Sequence, residues 1–212
     1  VAWPVIEEYQ IPTTIYLATG FIGTGKMVWG DRLEATILMT DCSELVICLA
    51  EEERCYPLRT TKERTQAYTE IKAHCKMLPN SFKDKLVSSI ETQLGERDLS
   101  SDPLFAFMNW DQVRQMDASQ LVDFGAHTVD HVSLARMPTD QMKAQISNSV
   151  ETVSRELEHP CKYFSYPEGQ STDYNDEVIE YLKESGFDHS PSAINGSNKV
   201  EETSPFHIRR IM

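Results

Sequence analysis

Short β-branched or aromatic runs alternate with longer stretches of helical period, and this alternation leaves few architectures open to the chain. Residues 13–20 (TTIYLATG) lie between Pro12 and the glycine that ends the run, and read as a strand. Residues 121–126 (LVDFGA) form a short apolar run that reads as a buried strand ending at His127. Residues 162–167 read as a third strand ending at Glu168-Gly169, and 187–194 and 206–211 as two more. Between them, apolar residues recur three and four apart. Helices are expected over 1–10, from Trp29 to about Leu38, over 110–116 from an Asn109 cap, and from a Thr139 cap through a face of Met142, Ile146, Val150, Val153 and Leu157. A last helix is expected to open at Asp173 and close at Gly186. Strand–helix alternation of this kind specifies an α/β fold with a parallel sheet. In such folds chemistry gathers at the carboxyl ends of strands, where His127 and Glu168 fall.

Residues 41–100 break the pattern. They are charged, hold four of the five cysteines and carry a possible capping box at Thr60 and Glu63, followed by Tyr68, Ile71, Cys75 and Leu78 at helical spacing. They read as a helical insertion within a single domain spanning 1–212.

The net charge of −13 disfavours nucleic acid and anionic membranes, whose binding rests on clustered Lys and Arg. It suits a neutral or cationic polymer, and equally suits solubility alone. No apolar run is long enough to span a membrane, and no signal peptide is visible. Five cysteines without a CxxC pair argue against a disulfide framework or a zinc knuckle, and lean towards a reducing, cytoplasmic setting.

The sharpest local feature is His127-Thr128-Val129-Asp130-His131. Two histidines four apart on a helical turn project to one side and can share a metal ion. Zinc peptidases need a Glu directly after the first His; Thr128 stands there, which excludes that class. Spacing alone leaves a surface or capping role open.

The wider context resembles the polysaccharide deacetylase family, carbohydrate esterase family four. Residues 124–131 (FGAHTVDH) are similar to its His-Ser/Thr-x-x-His motif, and 164–169 (FSYPEG) to its Arg-x-Pro-Tyr-Gly motif. Residues 2–22, 29–33, 110–113, 134–135 and 206–211 are similar to further family segments. The resemblance implies an irregular (β/α) barrel of about seven strands. It implies hydrolytic removal of N-acetyl, or sometimes O-acetyl, groups from a polysaccharide or acetylated oligosaccharide. It also implies a divalent metal ion, often zinc, held by His127 and His131 with an Asp, a second Asp serving as general base.

Further roles follow from the same resemblance: Glu168 as backbone N–H donor to the oxyanion, Tyr166, Pro167 and Gly169 as substrate contacts, His207 as the acid, and Thr128 as a hydroxyl that hydrogen-bonds beside the metal ligands. Tyr166 reads equally as a core residue. Two departures stand out. Ser165 and Glu168 replace the motif's Arg and Tyr. The family's Thr-Phe-Asp-Asp-Gly motif, source of both aspartates, has no counterpart in these residues, so the chain is expected to be a barrel truncated at its N-terminus, with weak or no activity by itself. The alternative is a non-catalytic carbohydrate-binding or scaffold module.

Overall fold

The structure, a computed structural model, describes residues 2–49, 52–95, 99, 102, 105–199 and 201–211. Contacts divide the chain into two units, Val1–Thr24 with Phe107–Met212, and Gly25–Ala106.

The first unit is mixed α/β. Helix α1 (Trp3–Tyr9) starts on Pro4 in its first turn and ends at Gln10 in the left-handed conformation, φ 52°. It buries Ile6 but leaves Val5 and Tyr9 exposed, so only part of its apolar pattern is a core face. Strand β1 (Thr13–Leu17) pairs in parallel with β4 (Val122–Ala126), in a register that sets Tyr16 beside Gly125 and Leu17 beside Ala126. The alternation of β4 turns Val122, Phe124 and Ala126 into the main core. There they meet α5 (Trp110–Asp117) and α6 (Thr139–Leu157), through Val113, Met116, Met142, Ile146 and Val153.

The Asn109–Gln112 capping box of α5 forms as the sequence predicts. The expected Thr139 cap does not form. Pro138 occupies the cap position and the Thr139 hydroxyl donates to Glu177 instead. On the core face of α6, Ser149 is buried and Val150 only partly so. Helix α7 (Asp176–Glu184) is capped by Asn175 rather than by Asp173. It ends as predicted at Gly186 (φ 85°), where Gly186 and Phe187 donate to Lys183 and Leu182.

The anticipated barrel of about seven strands is not hydrogen-bonded as a closed sheet. Among the described residues, six strands pair in three two-stranded sheets. The strand expected over 162–167 reduces to a single parallel bridge, Ala126 to Phe164. Beyond it lies β5 (Pro191–Asn195), paired in parallel with β6 (Ile208–Arg210). Pro191 has no N–H to contribute to a ladder. Serine side chains make the link instead: Ser165 Oγ donates to the Pro191 carbonyl, and Ser190 Oγ to that of Phe164.

The second unit corrects the expectation of a purely helical insertion over 41–100. It takes in α2 (Trp29–Leu38) as well as α3 (Thr61–Met77) and α4 (Asn80–Leu94), and it contains an antiparallel pair, β2 (Glu44–Leu49) with β3 (Glu52–Pro57). Strand β2 alternates strictly, with Leu45, Ile47 and Leu49 buried, a period-2 signal that the surrounding charge obscured. These residues share one core with Leu33, Ile37, Ile71, Val87 and Ile90. The Thr60–Glu63 capping box forms. Among the described residues, no helix is long and apolar enough to cross a membrane.

Candidate active site at the carboxyl end of β4

The chain leaves β4 directly into the histidine segment. His127 donates its backbone N–H to Leu17, while Thr19 and Gly20 donate to Thr128 and Val129, so the β1 side of the pair runs on alongside the turn. That close approach requires Gly20, where a Cβ would lie 2.8 Å from the Val129 carbonyl oxygen.

The turn is not helical, contrary to what the spacing suggested. Thr128 (φ 65°) and His131 (φ 51°) both adopt the left-handed conformation, which is uncommon and costly for a β-branched residue. The two rings nevertheless converge, with centroids 4.9 Å apart and planes inclined by 66°. Gln145 of α6 holds the turn. Its Oε1 accepts from the backbone N–H groups of both Val129 and Asp130, and its Nε2 donates to the Asp130 carboxylate. The exposed Asp130 carboxylate is thereby engaged by Gln145.

Sequence reasoning missed Gln145, because a polar residue on a helix flank carries no signal of what it clamps. Gln145→Ala removes the acceptor of a half-buried and an exposed amide, which water can partly replace, and is expected to cost about 1 kcal/mol. Urea unfolding measures this, and a variant within error of the parent would show that the clamp is unimportant.

The 164–169 segment, similar to the family's Arg-x-Pro-Tyr-Gly motif, meets His127 through Ser165. His127 Nδ1 lies 2.7 Å from the Ser165 carbonyl oxygen, which can only accept; Nδ1 therefore carries the proton and Nε2 keeps its lone pair. Burial is the main cause that pushes the His127 pKa down, to about 3, with neighbouring His131 adding to it and the Ser165 carbonyl opposing. The ring is neutral at ordinary pH. Tyr16 stands 6.4 Å from it between ring centroids, and burial raises that phenol to about 12, so it remains a protonated donor. The Thr128 hydroxyl is fully buried and has no hydrogen-bond partner among the described residues.

The remaining candidates fall into place differently. Glu168 sits at the head of a tight turn with φ 59°, and Gly169 follows at φ 68°, its N–H bonded to the Pro167 carbonyl. A Cβ at Gly169 would meet the Ala193 nitrogen at 2.6 Å, so Pro167 and Gly169, both buried, build this turn. Tyr166 is a core residue rather than a sugar platform. It is 1% exposed, stacks on Tyr174 with centroids 3.9 Å apart and donates to the Phe206 carbonyl. His207 is exposed and bonded to the Tyr174 hydroxyl; the two clefts it lines include neither His127 nor His131. His189 packs beside Tyr163 outside any strand, and His159 pairs with Asp117.

Buried Asp173, expected only as a cap, ties the two segments together. It accepts from Ser133 Oγ, which follows the histidines, and from the Gln170 N–H, which follows Gly169. Among the described residues, no group of three His, Cys, Asp or Glu side chains converges to hold a metal.

Comparison with known proteins settles the lineage. The family model described as polysaccharide deacetylase matches residues 2–190. The chain belongs to the polysaccharide deacetylase family. None of the curated proteins matches it. Among solved structures, the BpsB deacetylase domain from Bordetella bronchiseptica is similar over 99% of this chain and 64% of its own, at 13% identity and a TM-score of 0.53, a likeness of fold. IcaB from Ammonifex degensii is 24% identical over 51% of this chain and 49% of its own, with a TM-score of 0.44. A de-N-acetylase from Aggregatibacter actinomycetemcomitans is 16% identical over 100% and 63%, with a TM-score of 0.48. The chain thus spans about half to just under two thirds of these proteins' lengths. Against the family pattern, Ser165 is 2% exposed, its carbonyl serving His127 and its hydroxyl Pro191.

Proposed function

We propose that the chain carries the core of a metal-dependent hydrolase that removes N-acetyl, or O-acetyl, groups from a polysaccharide or acetylated oligosaccharide. Membership of the polysaccharide deacetylase family supports the reaction class. The observation that carries the metal is His127: its Nδ1–H is committed to the Ser165 carbonyl, its Nε2 is unprotonated, and the second imidazole stands 4.9 Å away. The orphaned Thr128 hydroxyl beside them fits a polar group sharing the site.

In this reading His127 and His131 hold a divalent ion, zinc being the natural choice for two imidazoles. When bound, the ion supplies Lewis-acid polarisation of the acetyl carbonyl and acidification of water. The chain's own residues do the rest. Ser165 and Gln145 fix the histidines in place. The turn built by Pro167 and Gly169 presents the Glu168 backbone N–H as oxyanion donor. With two imidazoles and no third ligand side chain among the described residues, the 212-residue chain binds metal weakly and turns over acetylated sugars slowly or not at all.

Zinc titration of the chain beside His127→Ala and His131→Ala tests this. Weak one-to-one binding, lost in both variants, is expected. Absence of zinc binding to the parent chain would mean that the two imidazoles do not make a complete site and that the activity must be sought in a longer form of the protein, and robust deacetylation by the isolated chain would overturn the statement of weak activity.

A further inference from the structure

A cleft of about 470 Å³ is lined by residues that include Ser197 and Lys199 on one stretch of chain and His207 and Arg209 on another. Its walls include Lys199, Arg209, His207, Thr203, Ser204 and a single carboxylate, Glu202. In a chain of net charge −13, this concentration of cationic and hydroxyl groups runs against the prevailing charge.

The cleft is also built. Arg209 is locked by a reciprocal pair, its N–H donating to Asn198 Oδ1 and its carbonyl accepting from Asn198 Nδ2, both at 2.9 Å. Its side chain lies over Gly196 (φ 146°), where a Cβ would stand 3.2 Å from Cδ and 3.4 Å from Nη1. The guanidinium has no carboxylate partner among the described residues, whereas Lys199 is paired with Glu202 at 3.0 Å. His207 is fixed from behind: Nδ1 bonds the Tyr174 hydroxyl at 2.9 Å, and Tyr174 is itself stacked on buried Tyr166. Nε2 is the nitrogen left for the cleft. The Lys199 backbone N–H is held by Thr203 Oγ1 at 3.1 Å, which shapes the loop around the opening.

We propose that this cleft is a second binding site, for a group carrying an oxyanion. Arg209 supplies the forked donor that matches a carboxylate or phosphate, His207 flanks it, and Lys199 offsets the charge of Glu202 on the cleft wall. The bound group is either the carboxylate of an acidic sugar residue or a free phosphate. Neither His127 nor His131 lines the cleft, so the proposal stands independently of the metal reading.

The test is a two-dimensional amide NMR titration of the whole chain at low salt, with inorganic phosphate and, separately, with a short oligogalacturonate. Parallel titrations use Arg209→Gln, Lys199→Gln and, as a separate control, His131→Ala. Saturable shifts confined to residues 196–209 are expected, weakened about tenfold or more in Arg209→Gln and unchanged in His131→Ala. Saturation by oligogalacturonate identifies the sugar carboxylate as the ligand, and saturation by phosphate alone identifies the free anion. Linear, unlocalised shifts with both probes, or equal affinity in a folded Arg209→Gln variant, would sink the proposal.

Discussion

Gly125→Val is expected to be among the most damaging single substitutions in the first unit, costing about 3 kcal/mol or more. Gly125 lies in β4 opposite Tyr16 of β1, and the Tyr16 ring covers it. A Cβ there would sit 2.7 Å from Tyr16 Cδ1, 2.8 Å from Cε1 and 2.7 Å from the Tyr163 carbonyl oxygen. The ring could rotate aside, but the carbonyl belongs to backbone: Tyr163 accepts from the Ala126 N–H at 2.8 Å in the bridge that brings the two family-like segments together. Displacing it would also move Ser165 from His127. Thermal or urea unfolding should show the loss, accompanied by altered His127 ring resonances. A Gly125→Val chain as stable as its parent would mean that the strands are far more loosely coupled than these contacts imply.

The second large effect concerns pH. The His127 pKa is pushed down to about 3 in the folded chain, chiefly by burial, from an ordinary value of 6.5. Between those values the unfolded chain binds a proton that the folded chain does not. The contribution to stability is therefore complete above about pH 6.5, and is lost as pH falls towards the folded value. Allowing for the partial exposure of the ring, the loss attributable to this residue is on the order of 3 kcal/mol. His127→Asn keeps an N–H donor for the Ser165 carbonyl but cannot titrate. Urea midpoints followed from about pH 7 down to about pH 4 should fall more steeply in the parent than in the variant. Parallel slopes would place the acid sensitivity in the chain's carboxylates.

Much of the fold was legible in the sequence because it rests on local physics. The capping boxes at Thr60–Glu63 and Asn109–Gln112 are reciprocal hydrogen bonds within four residues, so pattern and structure coincide. The termination of α7 at Gly186 and the buried face of β4 are equally local, being a left-handed glycine and a period of two. The histidine pair was visible for the same reason, as two residues four apart at a strand end.

What only the tertiary structure decided is what depends on partners distant in the chain. The His127–His131 turn is left-handed at two residues and held by Gln145 from a helix beginning eight residues after His131, a conformation that no propensity predicts. Ser165 acts through its carbonyl, an atom every residue has, so no residue type could advertise it. Tyr166 had two readings of equal chemical merit, and packing against Tyr174 chose the buried one. Asp173 gave up its expected cap to bridge Ser133 and Gln170, and two serine hydroxyls, Ser165 to the Pro191 carbonyl and Ser190 to that of Phe164, link the 162–167 segment to the start of β5. Residue types and short spacings thus determined the chemistry available and the places where strands and helices begin. The positions of the imidazoles depend on hydrogen bonds that span 16 residues (Val129 to Gln145) and 38 residues (His127 to Ser165), and only the folded chain brings those partners together.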